Sequence, residues 1–141
     1  ARTVVNATGP WINGIRAFED PAAPQLARLS KGVHLLLDLD RPWSAALTIP
    51  HDAVRVTFAY PWQGMLLLGT TDTLYEGDPS EVSVEPADVT RILDEASVGV
   101  EREVLDPSRI RASFAGLRVL PGLSGETLTA PPNAGAPSRS C

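Results

Sequence analysis

One cysteine, Cys141, leaves no possibility of a disulfide within the chain, a pattern that fits a reducing cytosol. The only histidines, His34 and His51, lie far apart, so the sequence has no zinc-ligand spacing and no metal site is expected. Long apolar runs are missing too: none approaches the roughly 20 residues needed to span a bilayer. The first residues lack the pattern of a signal peptide. Positive charge is in deficit, with 12 Lys and Arg against 17 Asp and Glu, a net charge of -5, and no basic stripe with interleaved aromatics. That balance excludes a nucleic-acid partner, whose phosphates require a basic face. Three fingerprints are also missing: the Gly-x-Gly-x-x-Gly of dinucleotide sites, a phosphate loop ending in Gly-Lys-Ser/Thr, and the Gly-x-Ser-x-Gly elbow of esterases.

What is present fits one globular domain with a real core: 141 residues, 43% hydrophobic and 21% charged. The stretch from Lys31 to Leu37 organises the rest. Side chains alternate along a strand, so Val33, Leu35, Leu37 and Leu39 share an apolar face, and His34, Leu36 and Asp38 share the other. Val54, Val56, Phe58 and Tyr60 alternate with Arg55, Thr57 and Ala59, which predicts a strand with one buried face. Pro61 to Gly64 reads as a four-residue turn, and Met65 to Gly69 returns as the second strand of a hairpin.

Elsewhere, Thr3 to Asn6 reads as a short strand stopped by Ala7-Thr8-Gly9-Pro10, and Trp11 to Arg16 as one or two helical turns. Ala45 to Ile49 reads as a strand, and Tyr75 to Pro79 as a turn. A helix is marked by Pro86 at its first position, acids Glu85 and Asp88, and the stripe Val89, Ile92, Leu93, Ala96, with Gly99 as its stop. Ile110 to Val119 reads as the last strand. The fold class expected is α+β, an antiparallel sheet with one principal helix.

The chemistry-bearing residues leave alternatives open. His34 is either a histidine hydrogen-bonded within a sheet or a proton acceptor near neutrality. Arg118 is either half of a surface ion pair or a two-pronged grip on phosphate or carboxylate. Lys31 is a second cation, and Thr70-Thr71-Asp72 is a polar turn or part of a site. Together these groups suit a small anionic ligand at a sheet face.

Read in order, six segments resemble one family. They are Val4-Val5-Asn6-Ala7-Thr8-Gly9-Pro10-Trp11, Ser30-Lys31-Gly32-Val33-His34, Phe58-Ala59-Tyr60-Pro61-Trp62, Gly69-Thr70-Thr71-Asp72-Thr73, Tyr75-Glu76-Gly77-Asp78-Pro79 and Ser113-Phe114-Ala115-Gly116-Leu117-Arg118-Val119-Leu120. Each is weak alone, but their order and spacing resemble the FAD-dependent glycerol-3-phosphate dehydrogenases from about Thr3 to Gly122. The resemblance implies a two-domain flavoprotein with a Rossmann-like FAD domain mostly missing from this chain. Residues 1–16 would end a segment of the FAD-binding domain, 17–122 would form the substrate-binding domain, and 123–141 a disordered or off-pattern tail. The absence of an initiator methionine and of the glycine fingerprint leads us to expect a piece of a longer protein, inactive alone.

The same resemblance implies oxidation of sn-glycerol 3-phosphate to dihydroxyacetone phosphate, with a hydride to FAD and electrons on to a quinone. His34 would be the base, Arg118 and Lys31 would bind substrate, and Ala7, Thr8, Gly9 and Thr71 would contact the cofactor. A cytoplasmic location, peripheral on the inner face of the cell membrane, is implied for the whole enzyme. Two other readings compete: a stand-alone module binding a small phosphorylated ligand, and an oxygen-using glycerol-phosphate oxidase.

Overall fold

The computed structural model describes residues 2–53 and 55–122, so the expected tail and Val54 lie outside the described residues. A 3-10 turn, Gly9–Trp11, runs into helix α1 (Ile12–Glu19). There follow strands β1 (Ala27–Asp38), β2 (Leu47–Pro50), β3 (Val56–Trp62), β4 (Met65–Gly69) and β5 (Thr73–Tyr75), helix α2 (Pro86–Ala96) and strand β6 (Ile110–Pro121). The six strands form one sheet, antiparallel throughout. The expected α+β architecture is therefore observed.

The sheet is built on β1. Along one edge it pairs with β6 from Ala27↔Pro121 to Leu37↔Ile110. Its other edge is shared end to end, with β4 on His34 to Asp38 and β5 on Leu29 to Lys31. Beyond β4 come β3 and then β2. The alternation expected in β1 is observed: Val33, Leu35 and Leu37 are fully buried and Leu39 packs partly against them. They form the core with Leu66, Leu68, Ala59, Ile49 and the α2 residues Ile92 and Ala96. Each buried valine, leucine or isoleucine contributes about 1.5–3 kcal/mol by leaving water, and each alanine about 0.8 kcal/mol.

Helix α2 begins as the sequence predicts. Pro86 occupies its first turn, and a reciprocal capping box joins Glu85 and Asp88, satisfying donors that a helix start leaves open. It ends at Ala96 with Ser97 as its cap, three residues before Gly99.

Four expectations change. In β3 the apolar face is turned outward: Thr57 and Ala59 are buried, whereas Phe58 is 43% exposed. The inward face lies under α2, where small Ala59 fits and the Thr57 hydroxyl donates to Glu95 at 3.1 Å. Alternation identifies two faces but does not say which one a helix covers. The hairpin loop has two residues, not four, because Pro61 and Trp62 belong to β3 and pair with Leu66 and Met65. Gln63 and Gly64 both have positive φ (50° and 83°), the conformation that matches the twist of the flanking strands. Thr3 to Asn6 forms no strand: Val4 and Val5 are 81% and 83% exposed, without a sheet partner among the described residues. Finally, Thr73–Tyr75 is a short strand where only polar chain and a turn were expected.

Candidate functional site

The open face of the sheet, opposite α2, collects the chemistry. Ser30, Gly32 and His34 alternate onto it from β1, and register places Arg118, Gly116 and Phe114 of β6 directly beside them. Across β4 and β3 the row continues from His34 to Gly69 to Phe58. The His34 ring stacks on Phe114, with centroids 5.2 Å apart and planes 12° from parallel. On its other side the ring lies over Gly69. A Cβ at position 69 would collide with His34 Cδ2 and sit 2.9 Å from Cγ, so only glycine leaves room for the imidazole. The peptide joining Gly69 to Thr70 is cis.

Arg118 is seated in the same way. Its guanidinium lies across Gly32, where an added Cβ would come within 2.6 Å of Nη2. Nη2 donates to Thr70 Oγ1 at 2.9 Å, and both terminal nitrogens reach the Thr71 carbonyl at 3.2 and 3.3 Å. Nη1 also lies 3.4 Å from Ser30 Oγ and 3.5 Å from Asp72 Oδ1. The Ser30 hydroxyl in turn donates to Asp72. Partial burial, and then the Arg118 charge, push the His34 imidazole below its ordinary pKa of 6.5. At neutral pH His34 is therefore uncharged and able to accept a proton.

Beside Arg118 opens a cavity of about 180 Å³. Its wall includes Val56, Phe58, Thr70 and Asp72, with Arg91 and Glu95 of α2. The space suits a small ligand, and its wall carries both signs of charge, Arg55, Arg91 and Arg118 with Asp72 and Glu95. Among the described residues no group of three or more His, Cys, Asp or Glu is arranged to hold a metal ion.

The residues singled out in the sequence divide. His34 and Arg118 come together. Lys31 does not join them, because its odd position turns it to the helix side of the sheet. There its ammonium meets Asp88 at 2.8 Å and Glu85 at 3.5 Å, with the Lys31 and Asp88 side chains only 7% and 9% exposed. The Asp88 hydrogen bond, more than the charges, raises the Lys31 pKa above 10.5. Lys31 thus anchors α2 and its cap rather than the open face.

Thr71 is also occupied inside the fold. It lies where β1 changes partner from β4 to β5, and its hydroxyl accepts from Val33 N at 3.0 Å and lies 3.4 Å from the Lys31 carbonyl. The side chain stands in for the sheet bonds missing at this changeover. Thr71→Val keeps the shape but strands a buried amide, and we expect a loss of about 1–3 kcal/mol in denaturant unfolding.

Ala7, Thr8 and Gly9 lie apart from the open face's central row, before α1. The Thr8 hydroxyl donates to Asn6 at 2.8 Å, and Gly9 turns the chain with φ +56°. Asn13 of α1 ties this segment to β1 through Leu26 N and the Ala27 carbonyl, both at 2.9 Å.

Ser30, Gly32, Gly69 and Phe114 are site residues that the sequence does not single out, and Thr70 and Asp72 enter there only as a polar turn or part of a site. The period-two rule that placed His34 would have found Ser30, Gly32 and, within the last strand, Phe114 with Arg118. The contributions of Thr70 and Asp72 depend on a turn geometry that no periodicity encodes.

The comparisons agree with this fold. The family model described as FAD dependent oxidoreductase matches residues 1–133. An alpha-glycerophosphate oxidase of Lactococcus lactis is 37% identical over 133 residues, covering 86% of this chain and 21% of that protein. The aerobic glycerol-3-phosphate dehydrogenase of Escherichia coli is 31% identical over 124 residues, covering 85% and 24%. Among solved structures, the glycerol-3-phosphate dehydrogenase from Bacillus halodurans complexed with FAD superposes with a TM-score of 0.76 at 34% identity, covering 86% of this chain and 25% of that one. The chain belongs to the FAD dependent oxidoreductase family. It spans between a fifth and a quarter of the length of these relatives.

Proposed function

We propose that this chain supplies the substrate-side wall of a longer FAD-dependent enzyme that oxidises sn-glycerol 3-phosphate to dihydroxyacetone phosphate. In this reading residues 17–122 are the substrate domain and residues 1–16 belong to the FAD domain. The observation that carries it is His34 and the Arg118 guanidinium brought onto one sheet face, seated over Gly69 and Gly32 respectively. The names of the Lactococcus, Escherichia and Bacillus relatives supply the substrate.

The residues present suit a planar cofactor. The exposed rings of Phe58 and Phe114 flank the His34–Gly69 row, and Ala7, Thr8 and Gly9 would hold a more distant part of it. Bound FAD supplies a two-electron acceptor for the hydride that leaves C2 of the substrate. His34 takes the C2 hydroxyl proton on an unprotonated ring nitrogen as the carbonyl forms. Arg118, fixed by Thr70 and Thr71, holds the phosphate by charge-assisted hydrogen bonds and so sets C2 at the imidazole.

A quinone is the proposed final acceptor, and the location proposed with it is cytoplasmic, peripheral at the membrane where quinone dissolves. Among the described residues no helix is long and apolar enough to cross a membrane. The oxygen-using alternative draws on the Lactococcus oxidase, and hydrogen peroxide formed in step with product would assign it.

The test is Arg118→Ala in the FAD-loaded full-length protein, assayed with glycerol 3-phosphate. Loss of a charge-assisted contact to phosphate should raise KM on the order of ten- to a hundredfold. An unchanged KM would remove Arg118 from the substrate site.

A further inference from the structure

Arg118 is an exposed-strand arginine with a long flexible stem, yet its guanidinium is held at one place. Every short polar contact that fixes it on the turn side comes from the connection between β4 and β5: the Thr70 hydroxyl at 2.9 Å and the Thr71 carbonyl at 3.2 and 3.3 Å. The Thr70 hydroxyl has its own partner, since it donates to that same Thr71 carbonyl at 3.1 Å. Its oxygen therefore points a lone pair at Nη2 instead of turning freely. The turn cannot drift either, because Thr71 is locked into β1 by its buried hydroxyl. Gly32 completes the seat: any side chain there would meet the guanidinium carbon within 2.9 Å.

We propose that Thr70 is a positioning residue: its hydroxyl clamps the Arg118 guanidinium flat across Gly32 and beside His34, so that the cation is in place before the substrate anion arrives. The inference rests on the functional reading above for its consequence in catalysis, but the clamp itself is a property of this chain. A charged donor already bonded to a part-buried hydroxyl loses less freedom on meeting its ligand than a free arginine does. Thr71 and Asp72 differ in role. Thr71 contributes its carbonyl and holds the turn, and Asp72, bonded to Ser30, is a counter-charge at 3.5 Å.

His34 reports on the clamp because Arg118 is near enough to hinder its protonation. The other charged groups on this face are Asp72 from the turn, Arg28 further up β1 and the Asp38–Arg111 pair at its far end, and the cavity beside Arg118 adds Arg55 with Arg91 and Glu95 of α2, both arginines pairing with Glu95. The α2 charges Asp88 and Glu85 lie on the opposite face with Lys31.

The experiment follows the His34 ring carbon signal by NMR as a function of pH in the full 141-residue chain, which has only two histidines. His34→Asn assigns the signal. Thr70→Val should free the guanidinium and move the His34 midpoint upward toward 6.5, Thr70→Ser should restore the wild-type midpoint, and Arg118→Gln should move it at least as far as Thr70→Val. Thr70→Ala, less demanding in shape, is run alongside in case the valine variant folds poorly. In the FAD-loaded full-length protein, Thr70→Val should lower kcat/KM roughly tenfold, chiefly through KM. If Thr70→Val and Thr70→Ala both titrate like wild type while Arg118→Gln shifts, the clamp is overturned and the role of Arg118 stands. If serine shifts the midpoint as valine does, the hydroxyl is not the clamp. If Arg118→Gln leaves the KM for glycerol 3-phosphate unchanged, the functional reading fails instead.

Discussion

Replacing His34 by asparagine in the FAD-loaded full-length protein should lower kcat for glycerol 3-phosphate by about 10²–10⁴, the usual contribution of a positioned base. KM should change little, because the phosphate is held by Arg118 and not by the imidazole. The pH profile gives a second, independent signature. Burial and then Arg118 lower the His34 pKa below 6.5, so the proton-accepting form persists through neutrality. The wild-type rate should thus be flat near pH 7 and fall only as pH drops below 6.5. The same depression has a stability consequence of fixed sign. The unfolded chain binds the proton more readily than the folded one, so this contribution is present above pH 6.5 and lost as pH falls. His51→Asn is the natural control. His51 bonds Thr57 at 2.9 Å on the helix side, and its loss should leave kcat unchanged.

The largest expected effect on stability lies on the opposite face. Asp88→Ala should cost about 3–5 kcal/mol, because it leaves the buried Lys31 ammonium only the exposed Glu85 at 3.5 Å and removes half of the α2 capping box. For a chain of this size that corresponds to a fall in Tm on the order of 10 °C. Lys31→Met together with Asp88→Leu should recover much of the loss, since an apolar pair of similar volume needs no charge compensation. Lys31→Met in the FAD-loaded protein should leave the KM for glycerol 3-phosphate near wild type. A large rise in KM at unchanged Tm would return Lys31 to the substrate site. The alkaline limit follows from the raised Lys31 pKa: this stabilisation is complete below pH 10.5 and is lost as pH rises above it.

Sequence pattern and structure agree in some elements and part in others. The core face of β1 was legible because Val33, Leu35 and Leu37 alternate without interruption, and α2 because its stripe, proline and acids agree. The orientation of β3 was not. Val56, Phe58 and Tyr60 form the more apolar face, yet the helix covers Thr57 and Ala59, and the outward aromatic face looks onto the candidate site. Apolar residues displaced toward a ligand face mislead any reading that equates apolar with core.

Lys31 misled in another way. It is adjacent to the site residues in sequence but separated from them by the thickness of the sheet, a separation that strand parity alone predicts. Residue chemistry grouped His34 with Arg118, and the family resemblance gave each its role, but 84 positions of chain separate the two and only the β1–β6 register joins them. The seats made by Gly32 and Gly69 were not legible at all, because what a missing Cβ makes room for is visible only in three dimensions.

The most direct test is anaerobic. FAD-loaded full-length protein is mixed with sn-glycerol 3-phosphate, and with the same substrate carrying deuterium at C2, while the flavin absorbance is followed. The account predicts that the flavin bleaches, that deuterium slows the bleaching, and that His34→Asn slows it about a hundredfold or more. A flavin that stays oxidised in excess substrate, or one that His34→Asn reduces at the wild-type rate, would contradict it.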